Sequence, residues 1–168
     1  MDEQNIAEII PNLLYLGSWK SARDWEVLSL FGITHVINLT EDKPNLFQDR
    51  DLSYCAFRIR DSEDEPIGNI FDRCISFICQ AKREGGKVLV HCLGGVSRSA
   101  TVCIAYLLFD DTDLSLEDAS NRVKAKRPIV NPNPNFVRAL QHYKEIIDNA
   151  LKDSSSSSDS SDEDSDFL

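Results

Sequence analysis

The stretch His91-Cys92-Leu93-Gly94-Gly95-Val96-Ser97-Arg98-Ser99 constrains this chain more than any other. It follows the short apolar run Lys87-Val88-Leu89-Val90, which reads as a buried strand, and precedes Ala100 to Phe109, which is apolar nearly all round and reads as a buried helix. The segment is therefore strand, tight loop, helix N-terminus. The first turn of a helix leaves backbone N–H groups unpaired and carries the positive end of the macrodipole, so such a loop suits a dianion. Gly94 and Gly95 can take positive φ and let successive amides turn inward, and Arg98 offers a planar fork matched to two phosphate oxygens. In the same field Cys92 favours thiolate over thiol, which makes it an in-line nucleophile beneath a bound phosphate. A merely structural cysteine in a glycine turn would account for Cys92. It would not account for His91, Gly95, Arg98 and Ser99 at their fixed offsets.

His91-Cys92-x-x-Gly95-x-x-Arg98-Ser99 resembles the signature of the cysteine-dependent protein phosphatases, and Val96 to Ala100 resembles the small atypical dual-specificity branch in particular. The likeness runs from about Ile6 to Leu151 and includes Tyr15 to Ser18, Gly32 to Leu39, Asp61, Arg127-Pro128 and Pro132-Asn133. It implies hydrolysis of phosphotyrosine and phosphoserine or phosphothreonine through a cysteinyl-phosphate, with no metal and no cofactor. By the same resemblance Cys92 is the nucleophile, Asp61 protonates the leaving oxygen and Ser99 donates to the sulfur as it is expelled. Leu93, Gly94, Gly95, Val96, Ser97 and Arg98 bind the phosphoryl group, His91 orders the loop, and Asn133 braces it from outside. Gly94 departs from the Ala of many members and is expected to loosen the loop slightly.

Strands alternating with helices imply one α/β domain, a central, mostly parallel twisted sheet flanked by helices, with ligands beyond the strands' carboxyl ends. The 168 residues suit a single core. Strands are expected at Ile6 to Ile10, Leu13 to Leu16, Thr34 to Leu39, Tyr54 to Arg60 and Lys87 to Val90. Helices are expected from Gly17-Ser18 to Gly32, with Trp25, Leu28 and Phe31 inward, and from Ile67 to Arg83, whose stripe contains Cys74. Two more run from Ser115 to Lys126 and from Asn135 to Leu151, the last capped by Asn133 with Pro134 at its first position. His35 reads as a structural, hydrogen-bonded histidine, and residues 41–51 read as a surface loop.

The net charge of −10 divides unevenly, because residues 153–168 carry six acids and no base, leaving 22 acids against 18 bases before them. A domain of net charge −4 has no basic stripe for nucleic acid. The N-terminus shows no signal pattern, no run is long enough to span a bilayer, and neither end carries a lipidation motif, so no membrane partner is expected. Five cysteines without metal spacing suit a reducing compartment, cytosolic or nuclear. The catalytic domain is expected to span 1–152. Residues 153–168, acidic and Ser-rich, read as a disordered tail that either solvates the protein or serves as phosphoacceptor for an acidophilic Ser/Thr kinase.

Two rivals to the protein phosphatase follow from the same residues. A phosphoinositide or RNA-end phosphatase on this scaffold would favour extra cations at Leu93, Gly94, Val96 and Ser97, where there is no Lys. A non-catalytic phosphoprotein-binding module would not need Cys92.

Overall fold

The computed structural model describes residues 6–156. Strands β1 (Ala7–Ile10), β2 (Leu14–Ser18), β3 (His35–Asn38), β4 (Ser53–Ala56) and β5 (Val88–Cys92) form one sheet in the order β1-β2-β5-β3-β4. All neighbours are parallel except β1 and β2, a hairpin. β5 sits at the centre, and the chain passes from β2 to β3 across it, so the carboxyl end of β5 opens at the point where strand order reverses.

Alternation along β5 sorts the two faces of the sheet. Val88, Val90 and Cys92 join Leu14, Leu16 and Ile37 in a large core with α3 (Phe71–Arg83), α4 (Arg98–Asp110), α5 (Leu116–Lys126) and α6 (Pro134–Ser156). Leu89 joins Tyr15, Val36, Leu28 and Ile33 in a smaller core beneath α1 (Trp19–Ala22) and α2 (Trp25–Phe31). In α4 every residue from Ser99 to Leu108 is buried, as its uniformly apolar sequence requires. The α3 stripe Phe71, Cys74 and Ile78 also faces the large core.

Several boundaries differ from the sequence expectation, each for a local reason. The single helix expected before Gly32 is two, because Asp24 accepts hydrogen bonds from the amides of Glu26 and Val27 and starts a new helix there. Trp25 lies half-buried outside the core, against the ring of Phe47 (5.4 Å) and beneath the Arg50 guanidinium (4.2 Å), which pins the 41–51 loop. The fourth strand ends at Ala56 rather than Arg60. Its neighbour β3 stops at Asn38, and the carbonyl of Ile59 is claimed by a side chain instead of a strand. The helix expected from Ile67 begins as a 3-10 turn, Ile67–Ile70, before α3.

At the other end α6 starts as expected, with Asn133 Oδ1 accepting from the Phe136 amide (2.9 Å). It continues to Ser156 and crosses the expected domain boundary at residue 152. Ser154, Ser155 and Ser156 each donate a hydroxyl to a carbonyl three or four residues back, which keeps them compatible with the helix. The rest of the expected tail lies outside the described residues. His35 is structural as expected, bonded through Nδ1 to Thr34 Oγ1 (2.7 Å) and through Nε2 to Glu84 (3.1 Å). No described helix is long and apolar enough to cross a membrane.

Candidate active site

Cys92 is the last residue of β5, 2% exposed, and its sulfur looks into the turn that leads to α4. Ser99 Oγ lies 3.1 Å from Cys92 Sγ, and the Gly95 amide donates to the same sulfur at 3.3 Å. Burial alone would raise the thiol's pKa. The Ser99 hydroxyl and amide, the Arg98 charge and the Gly95 amide together outweigh it and hold the thiol below its ordinary value. Cys74 and Cys103, which burial affects without such donors, are pushed up.

The Gly95 amide points at the sulfur, and the loop carbonyls from Leu93 to Ser97 are engaged elsewhere. Leu93 O accepts from the Trp19 amide at the start of α1 (3.1 Å), and Val96 O from the Asn131 amide (2.8 Å). Gly94 O and Gly95 O accept from Arg127, through Nη2 (3.1 Å) and Nε (2.9 Å). Ser97 O accepts from Thr101 of α4. A concave row of N–H groups with its carbonyls turned away is an anion-binding nest. Of the two glycines only Gly95 has a positive φ, +66°. A Cβ there would lie 2.7 Å from Gly17 O and 2.8 Å from Arg127 Nη2. Gly94 is different: its φ is ordinary and a Cβ would meet nothing closer than Val96 Cγ2 at 3.5 Å. The expectation that both glycines serve the turn through positive φ is corrected accordingly.

Arg98 begins α4 and donates Nη1 to the Ile59 carbonyl (2.8 Å), with Leu39 O at 3.4 Å. That bond fixes one edge of the guanidinium on the main chain. Its Nε is buried without a partner among the described residues, and with Nη2 it makes a parallel edge of the kind that can accept two oxygens of one phosphate.

His91 points to the opposite face of the sheet, its ring 6.0 Å from that of Trp19. Burial lowers its pKa to about 4, so it is neutral, and Nδ1–H donates to the Cys92 carbonyl (3.3 Å). The two loop residues at the rim, Leu93 and Gly94, are exposed, whereas Ser97 is buried and accepts from the Asn133 amide (3.0 Å).

Asp61 is not carried by a strand end. Two tethers place it: Arg98 holds Ile59, two residues before it, and Asn133 Nδ2 donates to Asp61 Oδ1 (2.9 Å) and towards Ser62 O (3.3 Å). Asn133 thus joins the acid loop, the phosphate loop and the start of α6. The neighbouring acids are occupied elsewhere. Asp64 accepts from Ser62 Oγ (2.6 Å), which with the nearby Arg60 guanidinium lowers its pKa, and Glu65 accepts from the Arg60 amide and Nε.

Arg127 is part of the likeness to the family, but sequence reasoning gave it no role. A signal was present: the residue before a proline is driven from helical to extended backbone, and Arg127 at φ −139° and ψ 90° ends α5 and lays a 7% exposed side chain on the loop. No group of three or more His, Cys, Asp or Glu among the described residues is arranged to hold a metal ion.

A cysteine of lowered pKa that accepts from a loop amide and faces a serine hydroxyl, an arginine fork and a tethered carboxyl define a cysteine-dependent phosphomonoesterase. Residues 14–146 match the dual specificity phosphatase catalytic domain. The chain belongs to that family, and the curated relatives it matches are named dual specificity protein phosphatases. It is 40% identical over 139 residues to dual specificity protein phosphatase 1 of Arabidopsis thaliana, covering 83% of this chain and 69% of the relative. Human dual specificity protein phosphatase 6 is 39% identical over 141 residues, 83% of this chain but 36% of that protein. Among solved structures, human DUSP28 superposes with a TM-score of 0.78 at 33% identity, covering 85% of this chain and 95% of that one.

Proposed function

We propose that this enzyme hydrolyses phosphotyrosine and phosphoserine or phosphothreonine in protein substrates through a cysteinyl-phosphate. Cys92 Sγ attacks phosphorus while the bond to the leaving oxygen breaks, and Asp61 gives that oxygen its proton. Because Asn133 occupies Oδ1, Oδ2 is left to carry it. Water then attacks the phosphorus, the S–P bond breaks, Asp61 takes the water's proton, and the Ser99 hydroxyl stabilises the departing thiolate. The loop amides and the Nε edge of Arg98 hold the equatorial oxygens throughout, so positioning and preorganised charge do most of the work. The observation that carries this reading is the pair of donors on Cys92 Sγ inside a loop whose carbonyls all face away. A capture module would gain nothing from stabilising a thiolate. Five cysteines, none in a disulfide, support a reducing compartment, cytosol or nucleus, and the acidic serines after Lys152 suit an acidophilic Ser/Thr kinase.

The test pairs nucleophile and acid. Cys92→Ser is expected to abolish turnover of phosphopeptides. Asp61→Asn is expected to slow phosphoserine and phenyl phosphate by about 10²–10⁴-fold and an activated aryl phosphate far less. Asp64, held ionised by its partners, is expected to tolerate the same change. Loss of the leaving-group effect from Asp61→Asn and its appearance in Asp64→Asn would overturn the assignment of the acid.

A further inference from the structure

Arg98 and Asn133 fix Asp61 from one side, through Ile59 O, the Asp61 carboxyl and Ser62 O. The far side of the loop is closed by Glu65. Its Oε2 accepts from the Arg60 amide (3.1 Å) and from Arg60 Nε (3.4 Å), so the residue just before Asp61 is drawn onto a carboxylate further along the same loop.

Glu65 differs from the acid next to it. Its side chain is 13% exposed, against 75% for Asp64. Its main chain is anchored as well, because Glu65 O accepts from the Ile67 amide (2.9 Å) and from Asn135 Nδ2 (2.8 Å). Ile67 is buried in the large core, and Asn135 lies in the first turn of α6, where its Nδ2 also approaches Ser62 O at 3.5 Å. Residues 60–65 therefore form a ring closed through the Glu65 carboxylate and fastened to the core and to α6, with Asp61 inside it.

The bond to the amide is the one that bears on the reaction. The Arg60 guanidinium has a second carboxylate within reach, Asp64 at 3.5 Å from Nη2, whereas its amide is held by Glu65. That N–H belongs to the same peptide unit as Ile59 O, which accepts from Arg98 Nη1 (2.8 Å). A peptide unit is rigid and planar. One plane, directly before the acid, is thus gripped at its carbonyl by the arginine of the phosphate site and at its N–H by a carboxylate, the stronger, charge-assisted kind of hydrogen bond.

We propose, resting on the phosphatase reading with Asp61 as its acid, that Glu65 is a positioning residue: through the plane between Ile59 and Arg60 it keeps Asp61 in register with the phosphate site, so that Oδ2 stands at the leaving oxygen. Acting only through Asp61, Glu65 matters where the leaving group needs a proton.

The full chain is assayed by kcat/KM, which reports formation of the cysteinyl-phosphate, on an activated aryl phosphate, phenyl phosphate and a phosphoserine peptide. Glu65→Ala is expected to cost phenyl phosphate and the peptide about ten- to a hundredfold, as a misplacement near 1 Å does, and the activated ester less than about threefold. On an Asp61→Asn background the same change is expected to add nothing, since the group it positions is gone. Glu65→Gln keeps an oxygen for the Arg60 amide and is expected to recover most of the loss. Asn135→Ala, which frees Glu65 O, is expected to skew the substrates in the same direction, and it carries the test if Glu65→Ala does not fold. Equal losses on activated and unactivated esters, a further loss on top of Asp61→Asn, or no loss at all would overturn the proposal while the phosphatase reading stands. A native enzyme that hydrolyses none of the three, or an Asp61→Asn protein without a leaving-group effect, overturns the underlying reading and the proposal with it.

Discussion

Two glycines one residue apart allow the same substitution to be made with opposite expected outcomes. At Gly95, alanine must hold a left-handed backbone, which costs about 1–2 kcal/mol for a residue with a Cβ. Its Cβ also falls within 2.9 Å of two main-chain atoms of Gly17 and 2.8 Å from Arg127 Nη2. The β2 backbone is locked in the sheet, so the arginine gives way. Weakening its charged bonds to Gly94 O and Gly95 O adds about 1.5–3 kcal/mol. Gly95→Ala is therefore expected to destabilise the domain by about 3–5 kcal/mol. The amides it displaces are those that grip phosphate, and an error near 1 Å in such a site costs about 10²-fold in kcat/KM. Gly94→Ala meets only an ordinary contact at 3.5 Å with an ordinary φ. Reduced freedom of the unfolded chain is expected to stabilise it by about 0.4–1 kcal/mol, with activity retained. Urea denaturation at constant m-value and turnover of an aryl phosphate decide the matter. A Gly95→Ala protein within about 1 kcal/mol and tenfold of the native one would refute the reasoning.

Two further outcomes concern titrating groups. His91 is held neutral with a pKa near 4, below its value of about 6.5 in an unfolded chain, so unfolding takes up a proton in acid. Stability should be complete above about pH 6.5 and fall as the pH drops towards 4, by up to about 3 kcal/mol; His91→Asn should flatten that portion of a stability–pH curve, and an unchanged slope would show that His91 titrates normally. The lowered pKa of Cys92 means that alkylation by iodoacetamide, followed by mass spectrometry, should find Cys92 first and level off below the usual thiol range. Ser99→Ala removes a donor to the sulfur and should move the inflection to higher pH; preferential labelling of Cys74 or Cys103, both buried and pushed up, would contradict this.

What could be read from the sequence was whatever a local pattern determines. The strand, loop and helix around Cys92 follow from an apolar run, two glycines and a second apolar run, and the Ser115 and Asn133 caps follow from their own side chains. What could not be read depends on partners distant along the chain. A strand expected from Tyr54 to Arg60 would end right at Asp61, but strand pairing ends where β3 ends, and the position of Asp61 is set by Arg98 and Asn133. The role of Arg127 needs the carbonyls of Gly94 and Gly95, over thirty residues earlier, to be near it. Gly94 and Gly95 look equivalent in sequence, and what separates them is the left-handed backbone of Gly95 and the approach of Gly17 and Arg127 to it.

The fastenings of the phosphate loop also set an order in time. Leu93 is held by Trp19, from well before it, whereas Gly94, Gly95, Val96 and Ser97 are held by Arg127, Asn131 and Asn133, from well after it. A chain growing on the ribosome can therefore complete the sheet around β5 while the loop still lacks four of these anchors. The Gly95 carbonyl, in the same turn as the amide that donates to the sulfur, finds its partner only once Arg127 has been added. Premature termination before that point yields a polypeptide with Cys92 present but with the Gly94, Gly95 and Val96 carbonyls lacking the partners that turn them away from the sulfur.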